Sequence, residues 1–245
     1  PEYPAPGQNV QFTARSVLRN LALSNITWYV NGTIVEKGVG LSELTIAAGP
    51  LGSEKTVRVE VEGGEETISA SGVIRPTEVD LLWEADSYVP PFYRGRALPS
   101  AGSNVRYFVI PRFVRPGGST IPPSELLYTW RKNGKVIQSA SGRGKHTVLL
   151  DSPVLFGSDT VSVEVSTADG ELRGLSSVRI ASVEPSLVLY ENHPIFGILY
   201  HRALGSQSQI SEVEATFSVV PYFAPVGNPD SGFLLYKWRV NNFAL

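Results

Sequence analysis

With 245 residues, the chain is longer than one compact β-sandwich requires, so two to three domains are expected. Hydrophobic residues make up 42% and charged residues 18%, which is enough apolar surface for real cores and excludes a disordered chain. The formal net charge of −2 argues against a nucleic-acid binder, which concentrates basic residues on one face.

In chain order, the first signal is the alternation of Val10, Phe12 and Ala14 with polar residues, the period-two pattern of a half-buried strand. Trp28 follows in Ile26-Thr27-Trp28-Tyr29-Val30-Asn31-Gly32, and Asn31-Gly32 is a strong hairpin-turn pair because both residues tolerate positive φ. Val57, Val59 and Val61 alternate along the next strand, Gly63-Gly64 supplies a turn, and residues 68–74 read as a closing strand.

The same phrases then return. Trp130 sits in Tyr128-Thr129-Trp130-Arg131-Lys132-Asn133-Gly134, and Trp238 in Tyr236-Lys237-Trp238-Arg239-Val240-Asn241-Asn242. The three tryptophans are 102 and 108 residues apart by subtraction, so the repeat defines the folding unit. Residues 105–113 and 215–223 read as one strand in two copies, with Tyr107, Val109 and Phe113 matching Phe217, Val219 and Phe223. Val161, Val163 and Val165 repeat the earlier valine strand, Asp169-Gly170 repeats the turn, and residues 175–180 close the second unit. A further block, Leu82-Trp83-Glu84 before Tyr93-Arg94-Gly95-Arg96-Ala97-Leu98, returns as Leu189-Tyr190-Glu191 before Tyr200-His201-Arg202-Ala203-Leu204.

These repeats set units at 1–76, 77–182 and 183–245, joined by the short linkers Arg75-Pro76-Thr77 and Ser182-Val183-Glu184-Pro185. The expected architecture is all-β, with tandem immunoglobulin-like sandwiches and Trp28, Trp130 and Trp238 as core residues. The third unit stops just past its Trp strand, so it is expected to hold first strands only and to leave an open edge. Either the native chain continues, or a strand from another molecule completes the unit, which would make self-association possible. The start at Pro1 and the lack of any Met read as a processed or excised segment.

A Trp strand followed by Asn-Gly resembles bacterial Ig-like and PKD-like extracellular modules. The block over residues 81–98 is similar to part of uncharacterised exported bacterial proteins, a resemblance that brings no known activity. It implies an extracellular, cell-surface or periplasmic location. The absence of Cys agrees with bacterial export, whereas animal domains of this type usually carry a core disulfide. No stretch approaches the roughly 18–20 apolar residues of a membrane span.

Candidate chemistry is sparse. The histidines are His146, His193 and His201, with no Gly-x-Ser-x-Gly elbow and no His-Glu-x-x-His phrase, so no enzyme is expected. Gly38-Val39-Gly40 and Gly142-Arg143-Gly144 read as strand bends rather than phosphate loops, since no helix follows. Asp80, Glu84 and Asp86 are candidate calcium ligands, calcium being the one cofactor considered, against the plainer expectation of an ion pair with Arg94 or Arg96 of the same block, or with Arg202 in the third unit, where Glu191 repeats Glu84. Trp83, Tyr88, Phe92, Tyr93, Arg94 and Arg96 combine the rings and guanidinium groups favoured at binding surfaces. Such a patch suits a protein or a surface glycan as partner, or packing between neighbouring units. A spacer, scaffold or protein-binding array is the leading expectation. A glycan-binding or adhesive module using one flat aromatic face is the alternative, and a surface polymer subunit built by strand exchange is a third.

Overall fold

The structure, a computed structural model, describes residues 2–17, 19–63, 66–205, 208, 214–240 and 243–244. Part of the expected Gly63-Gly64 turn and the Asn241-Asn242 pair lie outside the described residues. Each sheet draws its strands from one of three stretches of chain.

The first stretch holds β1 (Asn9–Thr13), β2 (Asn25–Val30), β3 (Thr33–Val39), β4 (Glu43–Ala47), β5 (Lys55–Gly63) and β6 (Glu66–Ile74). They form a β1-β4 pair and a β3-β2-β5-β6 sheet. The second stretch holds β7 (Glu78–Ala85), β8 (Asn104–Arg112), β9 (Leu127–Lys132), β10 (Lys135–Val136), β11 (Gly142–Arg143), β12 (Thr147–Asp151), β13 (Ser158–Ser166) and β14 (Arg173–Ala181). Here the sheets are β12-β8-β7 and β10-β9-β13-β14, with β11 also on β9. The third holds β15 (Ser186–His193), β16 (Gly197–Leu204), β17 (Phe217–Tyr222), β18 (Arg239–Val240) and β19 (Phe243–Ala244), in a β16-β15-β17 sheet and a β18-β19 pair. All pairs with a described register are antiparallel, and the fold is that of tandem immunoglobulin-like sandwiches.

The chain packs as two compact units. One is Pro1–Leu81 with Val109–His146 and Ser162–Ser177; the other is Leu82–Phe108 with Thr147–Val161 and Val178–Leu245. The middle repeat therefore contributes to both.

Local chemistry explains the hairpins. Asn31 (φ 49°) and Gly32 (φ 80°) form the two-residue loop between β2 and β3, and Asn133 (φ 51°) and Gly134 (φ 79°) do so between β9 and β10. Positive φ at both central residues matches the right-handed twist of the flanking strands. The alternating valines face inward: Val57, Val59 and Val61 are buried, as are Val161, Val163 and Val165.

Trp28 and Trp130 are seated by one repeated device. A short 3-10 turn, Leu21–Leu23 or Pro123–Glu125, precedes each Trp strand. A left-handed glycine lies against it: a Cβ on Gly40 or Gly144 would come within 3.3 Å of the Ala22 or Ser124 carbonyl oxygen. The Gly40 N–H donates to Ser24 O (3.1 Å), and the Gly144 N–H to Leu126 O (2.9 Å). The next residue then offers its carbonyl to the indole. Trp28 Nε1 donates to Leu41 O and Trp130 Nε1 to Lys145 O, both at 2.8 Å. The two glycine phrases thus act as backbone hooks that satisfy a buried indole.

Trp238 departs from the expectation of a core residue. It is 40% exposed, in a segment without strand structure just before β18. The reason is the missing wall: the valine-bearing strands β5 and β13 have no described counterpart in the third stretch. That stretch contains an unexpected hairpin instead. Gly197 (φ 70°) turns the chain so that β16 pairs with β15, with a bulge between Tyr190 and Asn192. The corresponding block of the second stretch stays irregular, because Pro90 and Pro91 carry no N–H for a ladder.

The β13–β14 turn has a titratable lock. Asp169 accepts a hydrogen bond from the Thr167 hydroxyl and one from the Glu171 N–H (3.0 Å), with the Arg115 guanidinium 3.2 Å away. The Thr167 hydroxyl is the main cause holding the Asp169 carboxyl at about 2, below its ordinary 3.8. A depressed carboxyl stabilises the folded state above the unfolded pKa. That contribution is expected to be present above about pH 4 and to fade as pH falls through about 2. Carboxyl NMR titration of Asp169 checks it, and a midpoint near the ordinary value would contradict it.

Candidate functional site

The strand β7 and the segment after it carry most of the sequence-derived candidates. The acidic residues of β7 lie beside β8 and meet its cations. Arg112 Nη1 donates to Asp80 Oδ2 and contacts Glu78 Oε2, both at 2.9 Å, and these hydrogen bonds raise its already high pKa. Glu84 lies 3.8 Å from Arg106. Asp86 accepts from the Asn104 N–H (2.6 Å) and from Asn104 Nδ2 (2.8 Å). The three candidate calcium ligands are thus engaged separately along the strand. Among the described residues no group of three or more His, Asp or Glu could hold a metal. The ion-pair partners also differ from the expected Arg94 and Arg96, because cross-strand neighbours in a ladder lie closer than residues of the following loop.

Arg96 has another role. Its guanidinium carbon sits 4.3 Å from the Trp83 ring centroid, a cation–π stack. In the third stretch Glu191 and Arg202 form a loose pair at 3.8 Å.

The aromatic block divides into two parts. The Tyr88 N–H donates to Ala224 O (2.8 Å), and the Phe223 N–H donates back to Tyr88 O (2.7 Å). Tyr93 sets its ring edge-on to Tyr222 (5.8 Å) and Phe223 (5.9 Å). Gly95 permits this fold-back, because a Cβ there would lie 2.7 Å from the Tyr93 ring. Tyr222 in turn shares a 2.7 Å hydroxyl contact with Tyr190, and burial first, then this hydrogen bond, pushes its phenol pKa well up. Tyr88 and Tyr93 thus tie the second repeat to the third within one compact unit.

Phe92 and Arg94 remain solvent-facing. Phe92 is 89% exposed at φ 67°. Trp83 and Tyr88 are partly buried, so the expected single exposed face of Trp83, Tyr88 and Phe92 is not formed. The histidines are built into turns or surface. His146 Nδ1 lies 2.9 Å from Gly144 O, His193 Nδ1 accepts from the Ile195 and Phe196 N–H groups, and His201 is exposed.

Two features escaped sequence reading. One is the segment 222–224 as the receiver of Tyr88 and Tyr93; nothing local marks it, since Phe223 adopts its positive φ of 58° without glycine. The other is a 460 Å³ apolar groove in the first sandwich, lined by Phe12, Ala14, Leu21, Trp28, Val59 and Ile68. Its sequence signal is the Ile68, Ala70, Gly72, Ile74 alternation of β6, which has no bulky inward residue between Ile68 and Ile74.

No protein-family model matches the chain, and no curated protein matches it in sequence. Among solved structures, the chain is similar to fibronectin(III)-like modules of Clostridium thermocellum CbhA, at 11% identity and a TM-score of 0.32, covering 74% of this chain and 88% of that one. It is also similar to the central fibronectin-III array of RIM-binding protein, at 11% identity and a TM-score of 0.24, covering 79% and 76%.

Proposed function

We propose that the chain belongs to an exported array of immunoglobulin-like modules, at the cell surface or in the periplasm, that spaces and holds other parts rather than catalysing a reaction. The observation that carries this reading is how the inter-repeat segments are tied down inside each compact unit. In the first, Pro76 and Thr77 are buried. The Thr77 N–H donates to Pro4 O (3.2 Å), and its hydroxyl donates to Arg173 O (2.6 Å). In the second, the Ser182 N–H donates to Gly157 O (3.0 Å), the Val183 N–H donates to Pro99 O (2.8 Å), and Tyr88 bridges to residues 223 and 224. Segments bonded in this way lack the freedom of a Gly/Ser tether.

Backbone ¹⁵N relaxation tests the reading. Thr77 and Val183 are expected to show order parameters near the ~0.85 of rigid backbone. Values below about 0.6 at either residue would mark a mobile joint and overturn the spacer assignment. Surface labelling of intact cells tests the location.

A further inference from the structure

The first repeat carries two Asn-x-Thr phrases, Asn25-Ile26-Thr27 and Asn31-Gly32-Thr33. With x other than Pro, this is the acceptor sequence for an N-linked glycan. The folded chain treats the two phrases in opposite ways. Asn25 and Thr27 lie inside the β3-β2-β5 ladder, opposite Val39 and Lys37 on one side and Glu62 and Glu60 on the other. The Asn25 Nδ2 donates to Glu62 Oε2 (2.8 Å), and Thr27 is 1% exposed. The amide nitrogen of that phrase is engaged and its hydroxyl is buried.

Asn31 and Gly32 form the turn between β2 and β3, and Asn31, Gly32 and Thr33 are all exposed. Two bonds to β5 hold Asn31. Its N–H donates to Thr56 O (2.8 Å), and its Oδ1 accepts from the Thr56 N–H (2.9 Å). Only the oxygen of an amide can accept from a backbone N–H, so this bond fixes how the side chain is turned. Among the described residues, Asn31 Nδ2 and the Thr33 hydroxyl have no hydrogen-bond partner. A Cβ on Gly32 would meet nothing within 4 Å, so the space beside the turn is open.

The second repeat keeps the turn as Asn133-Gly134 but has Lys135 where the first has Thr33, which removes the acceptor phrase. Its edge strand β10 has two residues, whereas β3 has seven and carries the exposed Ile34, Val35 and Val39. The phrase therefore accompanies the longer apolar edge of the two. A bulky polar group at that turn hinders edge-to-edge pairing with another chain.

We propose that Asn31 is an N-glycosylation site, the acceptor for a glycan carried on a lipid diphosphate, and that Asn25 stays unmodified. The inference rests on the exported location, because such acceptor sites are used on secreted chains. Asn31 Nδ2 bonds to the anomeric carbon of the donor sugar as the bond from that carbon to the diphosphate oxygen breaks. The diphosphate leaves with the electron pair, and the amide nitrogen loses one proton. Thr33 supplies the hydroxyl that completes the acceptor phrase.

The test uses the chain purified from the cells that make it, with fractionation and surface labelling of the same cells. The tryptic peptide over residues 20–37 contains both asparagines. Electron-transfer fragmentation keeps a glycan on its own residue and is expected to place one on Asn31 and none on Asn25. Asn31→Gln and Thr33→Ala are each expected to abolish it, and Thr33→Ser to retain it. Exchange protection at Val59 checks that the variants fold. An unmodified peptide from exported chains overturns the glycan site and leaves the export reading standing. A glycan on Asn25, or one that persists on Asn31 in folded Thr33→Ala, also overturns the assignment. Chains confined to the cytoplasm overturn the export reading and the glycan site with it.

Discussion

Trp130→Ala is expected to cost the second sandwich about 3–5 kcal/mol, the range for deleting a large buried aromatic. Trp130 has no exposed surface, and its indole N–H is the donor to the Lys145 carbonyl. Alanine leaves both a cavity and an unpaired carbonyl, which costs more than either alone. Exchange protection of the Val163 and Val165 amides, with urea unfolding, measures the loss. A change under about 1 kcal/mol would show that the device seating the indole is not a core element. Trp238→Ala provides the contrast. At 40% exposure and without a facing valine strand, it is expected to stay within about 0.5 kcal/mol.

Gly174→Ala has the next largest expected effect, about 1–3 kcal/mol from overpacking. The added methyl would lie 2.5 Å from Val79 Cγ2, 2.9 Å from Thr77 Oγ1 and 3.4 Å from Phe113 Cζ. Thr77 cannot give way without weakening its 2.6 Å bond to Arg173 O, and Phe113 is fully buried. Val79 is the neighbour that can be trimmed, so Val79→Ala should restore part of the loss, and a double-mutant cycle reads that coupling. If Gly174→Ala alone leaves unfolding unchanged, Val79 of β7 does not pack tightly over Gly174. In the first repeat Ile68 stands at the corresponding position, six residues before the buried Ile74 as Gly174 is before Ile180, and no described strand like β7 lies over it.

The elements that could be read in advance are those governed by near neighbours. Alternating valines mark β5 and β13 because the pleat sends every second side chain to one face. Asn31-Gly32 and Asn133-Gly134 mark their turns because the required φ values are a property of those two residues. The repeat of the Trp phrase carried the all-β, multi-sandwich architecture for the same reason. The roles of individual side chains were not legible, since they depend on which strands meet. Glu84 and Asp80 bind Arg106 and Arg112 rather than the sequence-near Arg94 and Arg96, and only the ladder brings those charges together. Tyr88 and Tyr93 became structural ties because residues 222–224 reach them, although more than a hundred positions separate the two segments. Trp238 carries the same local phrase as Trp130 but stands partly exposed, because burial needs an opposing sheet and not a sequence signature. Side-chain alternation and turn chemistry act over a few residues, whereas burial, ion pairing and an open edge are decided by distant strands that fold against them.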